Sequence, residues 1–221
     1  MFLIIGVSGC IFNSDDSGDE KETVLYLPLK VGAQYTYSVI ETDLPGTVIN
    51  TYEKTTTISG TVTINEQQYW GFSSDVGDGM MFRAVEDTVY SYIGFGDDGI
   101  DPSGVEIVFF RFDAALGSSW ESSPLTFFDP QHNADVSMTW KGTYIGTENV
   151  TVPAGSFDNC KKYDIRIPAV IHTEVPVEAL HFKILIWLAP NVGMVKTLET
   201  IYTEGRESGF MDSQLTSYTI P

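Results

Sequence analysis

Apolar and polar residues alternate with period two along most of the chain from residue 24 onward, the spacing of a strand that buries one face. Residues 34–41 show it plainly, with Tyr35, Tyr37 and Val39 on one side and polar residues between them. Residues 47–64 are rich in Thr, Val and Ile, which fit a half-exposed pleated surface. Asn65, Glu66 and Gln67 turn that strand back into residues 68–74, and the Gly- and Asp-rich stretch 75–79 makes the next turn. Strands follow over 80–85, 89–93 and 105–112, with a turn through Leu116 and Gly117. After a break at 124–133, a strand over 136–146 is expected to place Met138, Trp140 and Gly142 on one face. The alternation supports no helix longer than two turns.

The stretch 149–199 carries the clearest punctuation. A strand ending at Val152 meets Pro153, Ala154 and Gly155; proline pre-sets φ and the glycine can take the positive φ that closes a hairpin with a bulge. A long strand then runs over 158–171 and another over 181–188. Ala189, Pro190 and Asn191 break the latter, because proline cannot donate to a ladder, and the chain re-enters at Val192 and Gly193 a strand that ends near Tyr202. Residues 208–220 read as a closing strand. The sum is an all-β protein: a strongly curved antiparallel sheet, an open or half-closed barrel of about a dozen strands, with at most one short helix.

Two short stretches echo each other. In residues 31–38 and 116–123 an aliphatic residue precedes a glycine, and an aromatic residue follows three positions later, Tyr35 in one and Trp120 in the other. The same turn and anchor would then recur in two halves of the sheet.

Composition makes this a globular chain: 43% of its 221 residues are hydrophobic and 13% aromatic. The balance of 12 basic against 30 acidic residues, a net charge of −18, repels phosphate backbones and argues against nucleic-acid binding. Three domains of behaviour divide the chain. Residues 1–10 are apolar and end in Val7, Ser8, Gly9 and Cys10, the small-residues-then-cysteine order of a lipoprotein cleavage site, so Cys10 is the candidate lipid anchor. No Lys or Arg precedes it and its apolar run is short, which a start site placed too late or a trimmed leader would explain; a Cys10–Cys160 pairing is the competing account. Residues 11–23 are acidic and serine-rich, a tether with too little apolar surface to order itself. Residues 24–221 form a single β domain.

Candidate chemistry is sparse. Trp70, Trp120, Trp140 and Trp187 are candidates to line a groove for an apolar or carbohydrate ligand, although core packing accounts for the same residues. His172 and Glu174 share a strand face, and His181 is placed to approach across a hairpin, which makes these three the best metal candidates. Asp97, Asp98 and Asp101 lie among glycines but lack the order of a twelve-residue calcium loop. Cys160 is expected to be a buried thiol in a core segment rather than a nucleophile. No cofactor and no catalytic constellation is indicated, so a non-catalytic, lipid-anchored envelope protein that binds an apolar or carbohydrate ligand or another envelope protein in the sheet's concavity leads, ahead of a purely structural or protein-interaction module without a pocket and, third, an envelope hydrolase.

The segments 28–38, 112–120, 151–160 and 187–197 together resemble a group of uncharacterised bacterial lipoproteins that share a mostly antiparallel β domain behind a short acidic tether. That resemblance implies a lipid-anchored location in the cell envelope, at the outer membrane on its periplasmic or outer face, with the membrane reached through Cys10. It implies no catalytic residues.

Overall fold

The computed structural model describes residues 25–77, 79–93, 104–129, 133–172, 177–203 and 206–221. The acidic loop of Asp97, Asp98 and Asp101, together with Cys10 and Glu174, lies outside them. Among the described residues there are fourteen strands and no helix. The first six are β1 (Gln34–Asp43), β2 (Val48–Ile64), β3 (Gln67–Ser74), β4 (Gly79–Val85), β5 (Thr88–Ile93) and β6 (Val105–Arg111). Then come β7 (Ser119–Glu121), β8 (Leu125–Asp129), β9 (Ala134–Met138) and β10 (Lys141–Val152). The chain ends in β11 (Gly155–His172), β12 (Val177–Ala189), β13 (Gly193–Thr203) and β14 (Arg206–Thr219).

All pairings are antiparallel, and the sheet runs β6-β5-β4-β3-β2-β1-β14-β13-β12-β11-β10-β7. The expected curvature therefore carries almost to closure: a barrel with one seam, between β6 and β7, that no backbone ladder seals. Tight turns hold the register. Asn65 and Glu66 both take positive φ between β2 and β3, the backbone of a two-residue hairpin turn. Pro153 and Ala154 form the loop between β10 and β11, and Asn191 and Gly193 take positive φ at the β12–β13 turn.

The echo in the sequence is a repeated backbone motif. Gly32 has φ +89° and its N–H donates to Ile58 O (2.8 Å), while Ile58 N–H donates to Ala33 O (2.9 Å) and Ala33 N–H to Lys30 O (3.1 Å). Gly117 has φ +81° and repeats all three: Gly117 to Tyr144 O (2.8 Å), Tyr144 to Ser118 O (3.1 Å) and Ser118 to Ala115 O (2.9 Å). The strands that follow match as well, since Gln34 pairs with Thr57 and Ser119 with Thr143. Each motif opens a six-stranded meander, β1 to β6 in one half and β7 with β10 to β14 in the other. β8 and β9 are an insertion, β9 extending the sheet along the far end of β11. In this scheme the β1–β14 junction, paired from Gln34 to Asp43, has as its counterpart the unpaired seam.

Side chains close that seam. Trp120 Nε1–H donates to Val108 O (3.0 Å), Tyr163 O–H to Arg111 O (3.2 Å), and the Lys161 ammonium to Phe112 O. Lys161 also lies 4.7 Å from the centre of the Tyr26 ring and 5.6 Å from that of Tyr144, a cation held over aromatic faces. β6 and the residue that follows it thus trade ladder partners for three donors from β7 and β11.

The interior is filled by aromatic and aliphatic residues together. Tyr35, Tyr37 and Val39 are buried together, as the alternation of β1 requires. On β6 Phe109 and Phe110 are consecutive yet both buried: Phe109 keeps the alternation of Ile107, and the register slip with β5 between Val89 and Tyr90 turns Phe110 inward as well. Phe109 meets Phe82, Phe110 and Trp140 at ring-centre distances of 5.1, 4.6 and 4.7 Å.

Two expectations need correction. The single strand over 136–146 is two, β9 and β10, parted at Thr139 and Trp140. The break lies opposite Pro168 of β11, which has no N–H for the ladder and instead accepts from Thr139 N–H (3.2 Å). The break expected over 124–133 contains β8, which pairs with β9 from Leu125 to Asp129. Pro124 ahead of it and the polar residues behind it conceal a short run of Leu, Thr and Phe that favours a strand.

Candidate functional site: a cavity inside the barrel

The barrel interior is not completely filled. A cavity of about 290 Å³ lies between the two halves, walled by Tyr35 and Tyr37 of β1, Phe109 of β6, Ile184 and Ile186 of β12, and Trp140. That volume sits near the lower end of small-molecule sites, roughly 300–1,000 Å³. Met80, 40% exposed, is part of the wall and marks where the cavity meets solvent. Met194 and Met211 extend the lining; their unbranched, polarizable side chains suit an adaptable surface. The lining carries one cation and one carboxylate, Lys54 and Glu199. The alternation of β1 exposes the tyrosines to a reader of the sequence. The methionines and Glu199 come from β4, β13 and β14, and nothing in their local pattern marks them as facing one space.

Of the four tryptophans, Trp140 lines this cavity, brought there by the break between β9 and β10. Trp120 seals the seam. Trp187 is buried near the β12–β13 turn, its indole N–H bonded to Glu148 and its ring covered by Lys162 at 4.6 Å and Lys196 at 5.6 Å. Trp70 on β3 packs half-buried against the core. The structure does not gather the four into one groove. His172 is exposed and shares a hydrogen bond with Ser137 Oγ (2.8 Å). His181 stands opposite Pro168, four positions along β11 from His172, a strand rise of roughly 13 Å. The two backbones are therefore not brought together, and among the described residues no group of three or more metal-ligating side chains converges.

A DUF3108-like family model matches residues 129–209. The matched stretch runs from the end of β8 into β14, most of the second half of the barrel. A crystal structure of a candidate lipoprotein from Parabacteroides distasonis ATCC 8503 shares the fold, with a TM-score of 0.54 and 16% identity over 90% of this chain and 100% of that one. A candidate exported protein with a YmcC-like fold from Bacteroides fragilis NCTC 9343 gives a TM-score of 0.43 and 13% identity, again over 90% of this chain and 100% of that one. No curated protein matches the sequence.

Two other polar features are structural. Arg83 grips Glu106 through Nη2–Oε1 (2.7 Å) and Nε–Oε2 (2.9 Å), Tyr69 O–H donates to the same carboxylate, and the guanidinium lies 4.6 Å from the Tyr90 ring centre. The cluster ties β3, β4, β5 and β6 together with its charge neutralised. Cys160 is fully buried, its Sγ directed at Phe157 O (3.5 Å), and burial pushes its thiol up to about 11. A protonated, enclosed thiol is a poor nucleophile.

The buried hydroxyls give the fold a definite pH response. Burial pushes Tyr35 and Tyr69 up to about 12 and raises Tyr37 and Tyr163 as well, alongside Cys160. Lys161 runs the other way, lowered by burial. Groups whose folded pKa is raised leave stability intact below their unfolded pKa and remove it as pH climbs, because the unfolded chain releases those protons first. The urea midpoint is expected to hold level from pH 6 to about 8.5 and then fall continuously toward pH 11, given ordinary Cys and Tyr values near 8.5 and 10. A midpoint flat to pH 11 would contradict the burial of these hydroxyls.

Proposed function

We propose that the protein is a non-catalytic, lipid-anchored envelope protein that holds an apolar ligand in the cavity of its barrel. The observation that carries the reading is the cavity itself, open at Met80, its mostly apolar surface formed by aromatic, methionine and isoleucine side chains with Lys54, Glu199 and three small hydroxyl residues among them. Among the described residues its wall includes a single carboxylate, Glu199, and neither histidine nor cysteine, which supports binding over hydrolysis. The anchor rests on the small residues before Cys10 and the acidic tether behind it. It has the further support that a protein of the same fold is itself described as a candidate lipoprotein.

The test is native mass spectrometry of the protein expressed in a bacterial envelope from its full reading frame, before and after organic extraction. The expected result is a diacylated Cys10 and an additional extractable mass. An unmodified Cys10, with the wild type partitioning like Cys10→Ser in membrane fractions, overturns the anchor. A bare domain that also fails to take up apolar probes overturns the ligand and leaves a structural or interaction module.

A further inference from the structure

Two side chains of the cavity wall carry a donor without an acceptor. Tyr35, 3% exposed, and Trp140, 8% exposed, both line it, and Tyr35 Oη and Trp140 Nε1 are buried without a hydrogen-bond partner. Their neighbour Tyr37 shows the usual solution, donating its hydroxyl to Met194 O at 3.0 Å. Leaving a buried donor unmade forfeits its hydration with nothing in return, so native interiors hold few such groups. Here two of them belong to residues that line one cavity. The Tyr35 hydroxyl lies beside Gly193, near Leu27 and Pro28, and the Trp140 ring packs on Phe109.

We propose that the ligand is an uncharged, lipid-like molecule carrying carbonyl oxygen, as in an ester or ketone, to which Tyr35 Oη–H and Trp140 Nε1–H donate. This deepens the proposed function and rests on its ligand-binding reading. The apolar wall takes the hydrocarbon body. The two neutral donors take the oxygen, since both can give a proton and neither can supply a counter-charge. An anionic head is disfavoured because Lys54 and Glu199 leave the lining with no net charge and the chain as a whole carries −18. A sugar is disfavoured because most of the surface the cavity presents is apolar, although Thr56, Thr197 and Ser213 also belong to its wall. Burial keeps the Tyr35 hydroxyl protonated at neutral pH, so it remains a donor.

The test compares n-decane, methyl octanoate and octanoate as probes of the purified chain, in wild type, Tyr35→Phe and Trp140→Phe, by calorimetric titration. Tyr35→Phe removes only the unpaired hydroxyl, so the ligand-free variant is expected to melt a few degrees higher than wild type. The same variant is expected to bind methyl octanoate about five- to tenfold more weakly, the effect of one modest hydrogen bond, with decane unchanged. In wild type the Trp140 indole N–H resonance should move on addition of methyl octanoate and stay in place with decane, a readout independent of whether Trp140→Phe folds well. Ester affinity indifferent to Tyr35→Phe, with an unmoved indole signal, overturns the inference while leaving an apolar site intact. Octanoate binding more tightly than its methyl ester overturns the uncharged head. If neither decane nor ester binds, the proposed function fails as well.

Discussion

Tyr163→Ala is expected to cost about 3–5 kcal/mol of folding stability, the range for removing a fully enclosed aromatic side chain. Domains of this kind hold roughly 5–15 kcal/mol in all, so the variant should lose most of its margin. The expectation follows from position. Tyr163 is fully buried, and its ring centre lies 5.1 Å from Phe110, 5.4 Å from Tyr144 and 6.0 Å from Trp120. It therefore touches β6, β7 and β10 from β11, joining both sides of the seam. Its hydroxyl adds a donor to Arg111 O, a β6 carbonyl without a strand partner across the seam. Tyr163→Phe keeps the packing and loses that donor, at an expected cost of about 1–3 kcal/mol for the carbonyl left unmade. Urea unfolding of the two variants separates packing from bonding. A loss under about 1 kcal/mol for Tyr163→Ala would show that the seam is closed by something other than this ring.

The strands and turns of this barrel are written locally, and that is why they can be read from the chain. Period two assigns Tyr35, Tyr37 and Val39 to the interior, and the pairs Asn65-Glu66 and Asn191-Gly193 carry the positive φ their turns demand. What is not written locally is where two distant strands meet. Phe110 points inward through a register slip that alternation cannot foresee, and Trp140 enters the cavity because Pro168, on another strand, interrupts the ladder beside it. The cavity has the same character. Its lining comes from β1 and β2 at one end of the chain and β12 to β14 at the other, so the sequence offers the tyrosines and tryptophans as candidates but not the choice among them. The backbones of His172 and His181 stand apart for a related reason: they lie on neighbouring strands, and register sets His181 opposite Pro168, four residues short of His172.

The repeated turn explains why the barrel has one weak joint. A meander ends in two edges, and two such meanders side by side create two junctions. At β1–β14 the edges meet as a full ladder. At the other junction the first strand of the second half, β7, is three residues long, because the chain leaves it early for the β8–β9 insertion that delivers Trp140. The seam and the cavity then have a common origin. Side-chain donors compensate one, and a bound acceptor would compensate the other.

Gly142→Ala is expected to destabilise by about 3 kcal/mol, and the loss should vanish when Trp120 is removed. Gly142 pairs directly with Trp120, and an added Cβ would stand 2.3 Å from Cε2 and Cζ2 of the indole and 2.6 Å from Nε1. The glycine has no positive φ, so alanine strains no backbone there and the whole penalty is steric. Forcing a methyl into a packed site costs about 1–3 kcal/mol, and displacing the indole also breaks its bond to Val108 O, worth about 1 kcal/mol more. In a Trp120→Ala background the space is vacant and alanine suits a strand interior better than glycine, so Gly142→Ala should become neutral or slightly stabilising. The four proteins of this double-mutant cycle, compared by urea midpoint, isolate the pair. The single variant should also shift tryptophan emission to the red as Trp120 meets water at the seam. Equal losses in both backgrounds would mean that Gly142 serves the β10 backbone and not the indole that closes the barrel.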